Sequence, residues 1–241
     1  MRPLIRDKST NWSEAAWSGP IWPTFAWGTV AAAGIVGPAL AMLAVAKMGS
    51  PASFESAGSA ILAVGLMGSG MIAAAAAGRF LIGVLLAIGV GASLVALLGT
   101  LGFPTSINPL PLGAALVVAS ISFAARGALF ARSVASKGWW VAVFVVAGEA
   151  AILLTAVVSP GLWPDWLLAL LPAQWANLAF RASLTGGHLG PASTTLIALG
   201  STALATLLVA WLWPRRWPYL IMFTTWLAMA ALVYNHPGSL L

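Results

Sequence analysis

The sequence predicts an all-α membrane protein, a polytopic bundle of about seven transmembrane helices. Of its 241 residues, 61% are apolar and only 7% are charged, whereas an ordinary soluble domain carries about 25% charged residues. The mean hydropathy is +0.97. Its apolar runs are continuous and reach the roughly 20 residues that a helix needs to cross a bilayer, whereas membrane-spanning strands alternate apolar and polar residues.

The apolar runs indicate one transmembrane domain over residues 22–241, preceded by a cytoplasmic amphipathic segment over residues 1–21. Polar and proline-rich breaks divide that domain into seven predicted spans, over 22–46, 56–77, 80–101, 112–131, 138–158, 191–213 and 217–234. The apolar run inside residues 159–190 is too short to cross a bilayer. We therefore expect residues 159–190 to form an interfacial or re-entrant helical segment at the outer face.

The basic residues indicate the orientation, because cytoplasmic loops carry an excess of Lys and Arg. With the N-terminus inside and the C-terminus outside, two basic residues face outwards, Lys47 and Arg181. The other nine then face the cytoplasm: Arg2, Arg6, Lys8, Arg79, Arg126, Arg132, Lys137, Arg215 and Arg216. This distribution accounts for the net charge of +6 without a nucleic-acid partner. Together with the short loops, it predicts a bacterial inner membrane protein.

Small residues recur four apart in the first three spans, at Ala33 and Gly37, Gly65 and Ser69, and Ala87 and Gly91. Such spacing lets helices approach closely in lipid. It indicates packing within the bundle, or contact with a protein partner or a second copy of the chain. The 13 tryptophans are typical of an aromatic belt at the membrane interfaces, with Trp163, Trp166 and Trp175 on the outer side, although stacking on a pigment or quinone is an alternative.

Glu149 is the main candidate for a proton- or cation-binding residue. It follows Lys137 by 12 positions, which places it about 18 Å along the fifth span, near the midplane. A charged carboxylate there costs at least about 2.5 kcal/mol, and desolvation favours the protonated form. The alternative is a protonated carboxyl group that only fixes helix packing.

Arg126 is the candidate counter-charge or gate. It precedes Arg132 by six positions, so it lies about 9 Å inside the inner boundary. Its side chain can extend to the cytoplasmic interface or pair with Glu149 across a depth difference of about 9 Å. Ser120, Ser122 and Thr202 could add a polar path at this depth, unless their hydroxyl groups bond to the backbone of their own helices.

The two histidines fall at the outer face, His188 before the sixth span and His236 after the seventh. Because these ends are neighbours in the predicted topology, the pair could hold a metal ion or a pigment. Their spacing matches no metal-binding motif, and solvated loop histidines are the alternative.

The sequence does not indicate an enzyme. It has no cysteine, no lysine at mid-helix for a Schiff base, and no second carboxylate at the depth of Glu149. The first functional prediction is therefore a non-catalytic subunit or a binding or scaffold component of a membrane complex. The alternative is a proton- or cation-coupled small transporter or channel that uses the midplane carboxylate. The sequence does not specify a cofactor.

Overall fold

The computed structural model describes residues 21–47, 51–102, 109–134, 137–185 and 189–235, and the secondary structure of these residues is helical, without strands. Most of the predicted N-terminal segment, together with His188 and His236, lies outside the described residues. The all-α class is thus confirmed for the described part of the chain.

Nine helices make up the described structure, and two of them contain a π-helical turn. Helix α1 joins Ile21–Ala31, the π turn Ala32–Val36 and Gly37–Lys47, and α2 joins Pro51–Met67, the π turn Gly68–Ile72 and Ala73–Ala77. The others are α3 (Phe80–Thr100), α4 (Pro109–Val134), α5 (Gly138–Val158), α6 (Asp165–Ala169), α7 (Pro172–Leu184), α8 (Leu189–Trp211) and α9 (Trp217–Tyr234).

Seven of these helices are long and apolar enough to cross a membrane, which confirms the predicted number of spans and fits an integral membrane protein. Their apolar parts are Thr24–Lys47, Ala57–Ala77, Phe80–Thr100, Pro109–Val134, Gly138–Val158, Ala192–Trp211 and Trp217–Tyr234. The reversal between the second and third spans takes only two residues, because Gly78 adopts a left-handed conformation (φ 62°) that ends α2.

Helix α2 forms the centre of the bundle. Of its most apolar stretch, 89% is buried, against 17% for α5 and for α9. The π turns of α1 and α2 meet there. A Cβ atom at Gly34 would lie 2.8 Å from Ser69 Cβ, and one at Gly68 would lie 2.6 Å from the carbonyl oxygen of Ala33. These small-residue faces therefore serve packing within the chain, and contact with a partner through them stays a prediction.

The segment between α5 and α8 forms a helical hairpin of α6 and α7. Helix α7 packs against α2, α4 and α8, and its Trp175 and Phe180 are fully buried. The prediction that Trp175 belongs to an outer aromatic belt is wrong, because its ring is enclosed and its Nε1 donates to the carbonyl oxygen of Ala169 at 2.8 Å. This part of the segment lies inside the bundle rather than on its surface.

The turn of this hairpin, residues 170–173, lies level with the middle of two spans. The backbone N–H of Ala173 contacts Glu149, near the middle of α5, at 3.1 Å. On the other side, Trp226 near the middle of α9 donates through Nε1 to the carbonyl oxygen of Leu170 at 3.1 Å. We call residues 170–173 the hairpin tip. From the tip, α7 runs back to the start of α2, where Ser59 donates to Asn177 Oδ1 at 2.7 Å.

Candidate functional site

Arg126 of α4 and Glu149 of α5 form a direct ion pair. Arg126 Nη1 lies 3.0 Å from Glu149 Oε1, and the two side chains are only 17% and 12% exposed. The length of the arginine side chain closes the difference in depth that the sequence predicts between the two residues. Of the two arrangements that the sequence leaves open for Arg126, the structure has the pair with Glu149 rather than extension to the cytoplasmic interface.

The guanidinium of Arg126 has a second contact and an unused donor atom, Nη2. Its Cζ atom lies 5.0 Å from the centroid of the Phe123 ring, one helical turn earlier on α4, within the range of a cation–π interaction. Its Nη2 atom is buried and has no hydrogen-bond partner among the described residues. The ion pair therefore leaves part of the binding capacity of the guanidinium unused.

Glu149 also caps the N-terminus of α7. Its Oε2 accepts the backbone N–H of Ala173 at 3.1 Å. Pro172, the first residue of α7, has no N–H to satisfy, and the next donors, Gln174 N and Trp175 N, bond to the carbonyl oxygen of Leu171 at 2.9 and 3.3 Å. Since a helix N-terminus carries a partial positive charge, Glu149 lies between two electropositive groups, the Arg126 guanidinium and the start of α7.

A cavity of 430 Å³ adjoins the ion pair. It lies between α5 and α9, which do not pack closely against each other along their described lengths, with α4 and α8 behind it and the hairpin tip at one end. Its polar lining comes from Arg126, Glu149, Ser122, Thr202 and Thr206. The rest is mainly apolar, including Leu129, Phe130, Val145, Leu170, Leu171, Pro172, Met222, Phe223 and Trp226. The site is thus an apolar cavity with one charged end.

Two of the three predicted polar-path residues line this cavity. Ser122 and Thr202 are among its walls, whereas Ser120 is not. Thr202 donates its hydroxyl hydrogen to the carbonyl oxygen of Ala198 at 2.8 Å, within its own helix, and Thr206 donates its hydroxyl hydrogen to the carbonyl oxygen of Thr202 at 2.7 Å. Their hydroxyl oxygens keep lone pairs that can still accept a hydrogen bond. Ser120 is buried elsewhere, and its Oγ has no partner among the described residues.

Two further cavities continue the first one along α9. A cavity of 490 Å³ lies near the start of α9 and shares Phe223 with the central cavity. On the other side of the hairpin tip, a cavity of 230 Å³ between α6 and α9 shares Leu170 with it. Phe223 and Leu170 therefore each line two of three cavities that follow α9, and Leu170 accepts a hydrogen bond from Trp226.

Sequence reasoning missed several polar groups of the hairpin and its surroundings. It did not identify the Ala173 amide, the Trp226 indole, or the buried chain in which Ser59 donates to Asn177 and Asn177 donates to Gln174 Oε1 at 3.0 Å. Gln174 and Asn177 stand three residues apart in an apolar run, so they share a helix face. That spacing is a signal that could have indicated a buried polar contact.

The described residues contain no group of three or more His, Asp or Glu side chains that could hold a metal ion. The proposed histidine pair, His188 and His236, lies outside the described residues. A metal or pigment site there stays a prediction.

The fold and the site are those of a polytopic α-helical membrane protein with an ion pair enclosed among its spans. Comparison of the chain with protein-family models, with curated proteins and with solved structures gives no match.

Proposed function

We propose that this protein is a proton-coupled transporter of a bacterial inner membrane, with Glu149 as the proton-binding group and Arg126 as its counter-charge. The observation that carries the proposal is the Arg126–Glu149 pair at 3.0 Å, which lines a cavity of 430 Å³. The sequence favours a non-catalytic subunit first, because it indicates almost no polar interior. The cavity with its charged end is a polar interior that the sequence does not indicate, so we place the transporter ahead of the subunit.

The cost of the pair supports a functional role. A charged group near the midplane of a bilayer costs at least about 2.5 kcal/mol on insertion scales. Apolar side chains of similar volume can often replace a buried ion pair without loss of stability. Packing alone therefore gives little reason for an ion pair at this place, whereas proton-coupled transporters use ionisable residues within the membrane as proton relays.

Proton binding would loosen the hairpin tip. A proton on Glu149 removes the negative charge that holds Arg126 Nη1 and weakens the contact with the Ala173 amide. In the proposed orientation, with the N-terminus inside, the central cavity extends from the hairpin tip towards the cytoplasm. The cavity between α6 and α9 lies on the outer side. We propose that movement of the tip exposes Glu149 alternately to these two sides.

The proposed function requires the Glu149 carboxylate, which lines the central cavity, to bind a proton during transport. Infrared difference spectroscopy on the protein in lipid should show the C=O band of a protonated carboxyl group on acidification. The chain has only five acidic residues, so this band is assignable by substitution. It should disappear in Glu149→Gln and persist in the control Asp165→Asn, which changes an exposed carboxylate. A band unaffected by Glu149→Gln would contradict the proposal.

Glu149→Gln should also change which side of the hairpin tip is accessible, because Gln imitates the protonated carboxyl group. The chain has no cysteine, so single cysteines report on access without background. At one fixed pH, Thr206→Cys in the central cavity should react several-fold more slowly with a membrane-impermeant thiol reagent when Glu149→Gln is added. Ala230→Cys, in the cavity between α6 and α9, should react faster.

The direction of labelling tests the orientation at the same time. Thr206→Cys should react from the cytoplasmic side and Ala230→Cys from the outer side, as measured in inverted and right-side-out vesicles. Asp165→Asn is the matched background, because it removes an exposed carboxylate that is not part of the ion pair. Equal reactivity of both cysteines with and without Glu149→Gln would rule out the proposed change in access.

A further inference from the structure

The central cavity has the chemistry of a site for an organic anion. We infer that the transported substrate is an apolar organic carboxylate, which binds Arg126 and the N-terminus of α7 when Glu149 is protonated. The inference rests on the proposed function and names the substrate class of the same site. Three observations support it. Glu149 binds the Arg126 guanidinium and the Ala173 amide, the Nη2 atom of Arg126 has no partner among the described residues, and the cavity walls are mainly apolar.

The groups around Glu149 are those that bind carboxylates in general. Guanidinium groups bind carboxylates through two parallel hydrogen bonds, and helix N-termini bind anions through their backbone N–H groups. Here Arg126 uses Nη1 for Glu149, while its buried Nη2 has no partner among the described residues. The Ala173 amide binds the other oxygen of the same carboxylate. Glu149 thus occupies an anion site as an internal ligand.

The remaining walls fit an apolar body rather than a sugar or an amino acid. Phe130, Met222, Phe223 and Trp226 and several aliphatic side chains surround the charged end. The volume of 430 Å³ is in the range of cavities that enclose small organic ligands, about 300–1,000 Å³. The hydroxyl groups of Thr202 and Thr206 donate within their helix, so they supply few free donors for a polar body.

Charge balance links the substrate to the proton. A proton from the aqueous phase bonds to a Glu149 oxygen and removes its negative charge, and the substrate carboxylate then replaces that charge beside Arg126. The net charge of the occupied site stays the same, so one anion moves with one proton. Among the described residues, the charged side chain that contacts Glu149 is that of Arg126. The other described titratable groups of α4 to α9 lie towards helix ends: Arg132, Lys137, Asp165, Arg181, Arg215, Arg216, Tyr219 and Tyr234.

The test is direct binding of radiolabelled benzoate, an aromatic ring with one carboxylate, to the purified protein in lipid nanodiscs. Apparent affinity scales with the fraction of protein whose site is free. Glu149→Gln removes the internal competitor, so we expect benzoate to bind about tenfold more tightly than to the wild type at neutral pH. In the wild type itself, benzoate binding should tighten at any pH low enough to protonate Glu149, as judged by the infrared band, which keeps the test valid if Glu149→Gln folds poorly. Addition of Arg126→Leu to Glu149→Gln should abolish the gain.

Benzamide, which has the same ring but no charge, is the matched control ligand and should not distinguish Glu149→Gln from the wild type. Equal benzoate affinity in both proteins, or benzamide binding as strong as benzoate binding, would overturn the inference. If Glu149 takes up a proton in the infrared experiment while benzoate fails these tests, the substrate class is wrong and the proposed function stands. If Glu149 takes up no proton, both fail.

Discussion

Glu149→Leu alone should destabilise the protein by about 3–5 kcal/mol, because it leaves the charge of Arg126 enclosed without its partner. It also removes the acceptor of the Ala173 amide, which adds about 1–3 kcal/mol. The double variant Arg126→Leu and Glu149→Leu should regain most of the first loss and keep only the second. Arg126→Leu alone should cost less than Glu149→Leu, because a protonated Glu149 can still accept the Ala173 N–H.

These free energies can be measured by equilibrium unfolding in mixed micelles with increasing sodium dodecyl sulfate. Circular dichroism reports the loss of helix. Asp165→Leu is the control for loss of an exposed carboxylate at a helix start, and it should cost less than about 1 kcal/mol. If the single and double variants lost the same free energy, the two side chains would not be coupled, and the ion pair would carry no weight in the argument.

The same variants separate stability from transport. The double variant should fold. Thr206→Cys and Ala230→Cys should nevertheless not react in it as they do in the wild type, because neither charge of the ion pair remains. A purely structural pair would allow the double variant to show the same cysteine access as the wild type, apart from its lower stability. The comparison therefore distinguishes the transporter from the non-catalytic subunit that the sequence favours first.

Gly127→Leu should prevent the bundle from folding, and Gly127→Ala should destabilise it by about 1–3 kcal/mol or more. A Cβ atom at Gly127 would overlap the backbone carbonyl oxygen of Met71 and would lie 2.9 Å from Ala74 Cβ. Backbone cannot turn aside as a flexible side chain can. α4 and the central helix α2 would therefore have to separate at Gly127.

Gly113→Leu and Gly113→Ala are the matched controls, because Gly113 lies on the same helix and a Cβ atom there would meet nothing within 4 Å. Substitutions of this kind usually stay within about 0.5 kcal/mol. Folded yield by size-exclusion chromatography and unfolding in mixed micelles measure both pairs. A Gly127→Leu protein as stable as Gly113→Leu would show that α2 and α4 do not approach as closely as the structure places them.

The sequence by itself determined the helical class and the seven spans, since these depend on local properties. Continuous apolar runs of about 20 residues can satisfy their backbone hydrogen bonds in lipid only as helices. The polar and proline-rich breaks between them are identified directly from the residue types. The predicted span over 138–158 matches Gly138–Val158, and that over 217–234 matches Trp217–Tyr234. Glu149 also stood out from sequence, because a carboxylate at mid-span is costly wherever the helices pack.

The tertiary structure decided the partners of these residues. Whether Arg126 turns to Glu149 or to the interface depends on the rotation and spacing of α4 and α5, which no local pattern encodes. The place of Trp175 inside the bundle and the backbone amide of Ala173 at the site depend on the fold of the hairpin between α6 and α7. Small residues predicted close helix contacts, but which helices meet at Gly34 and Gly127 was set by packing across the whole bundle, a sum over many distant residues.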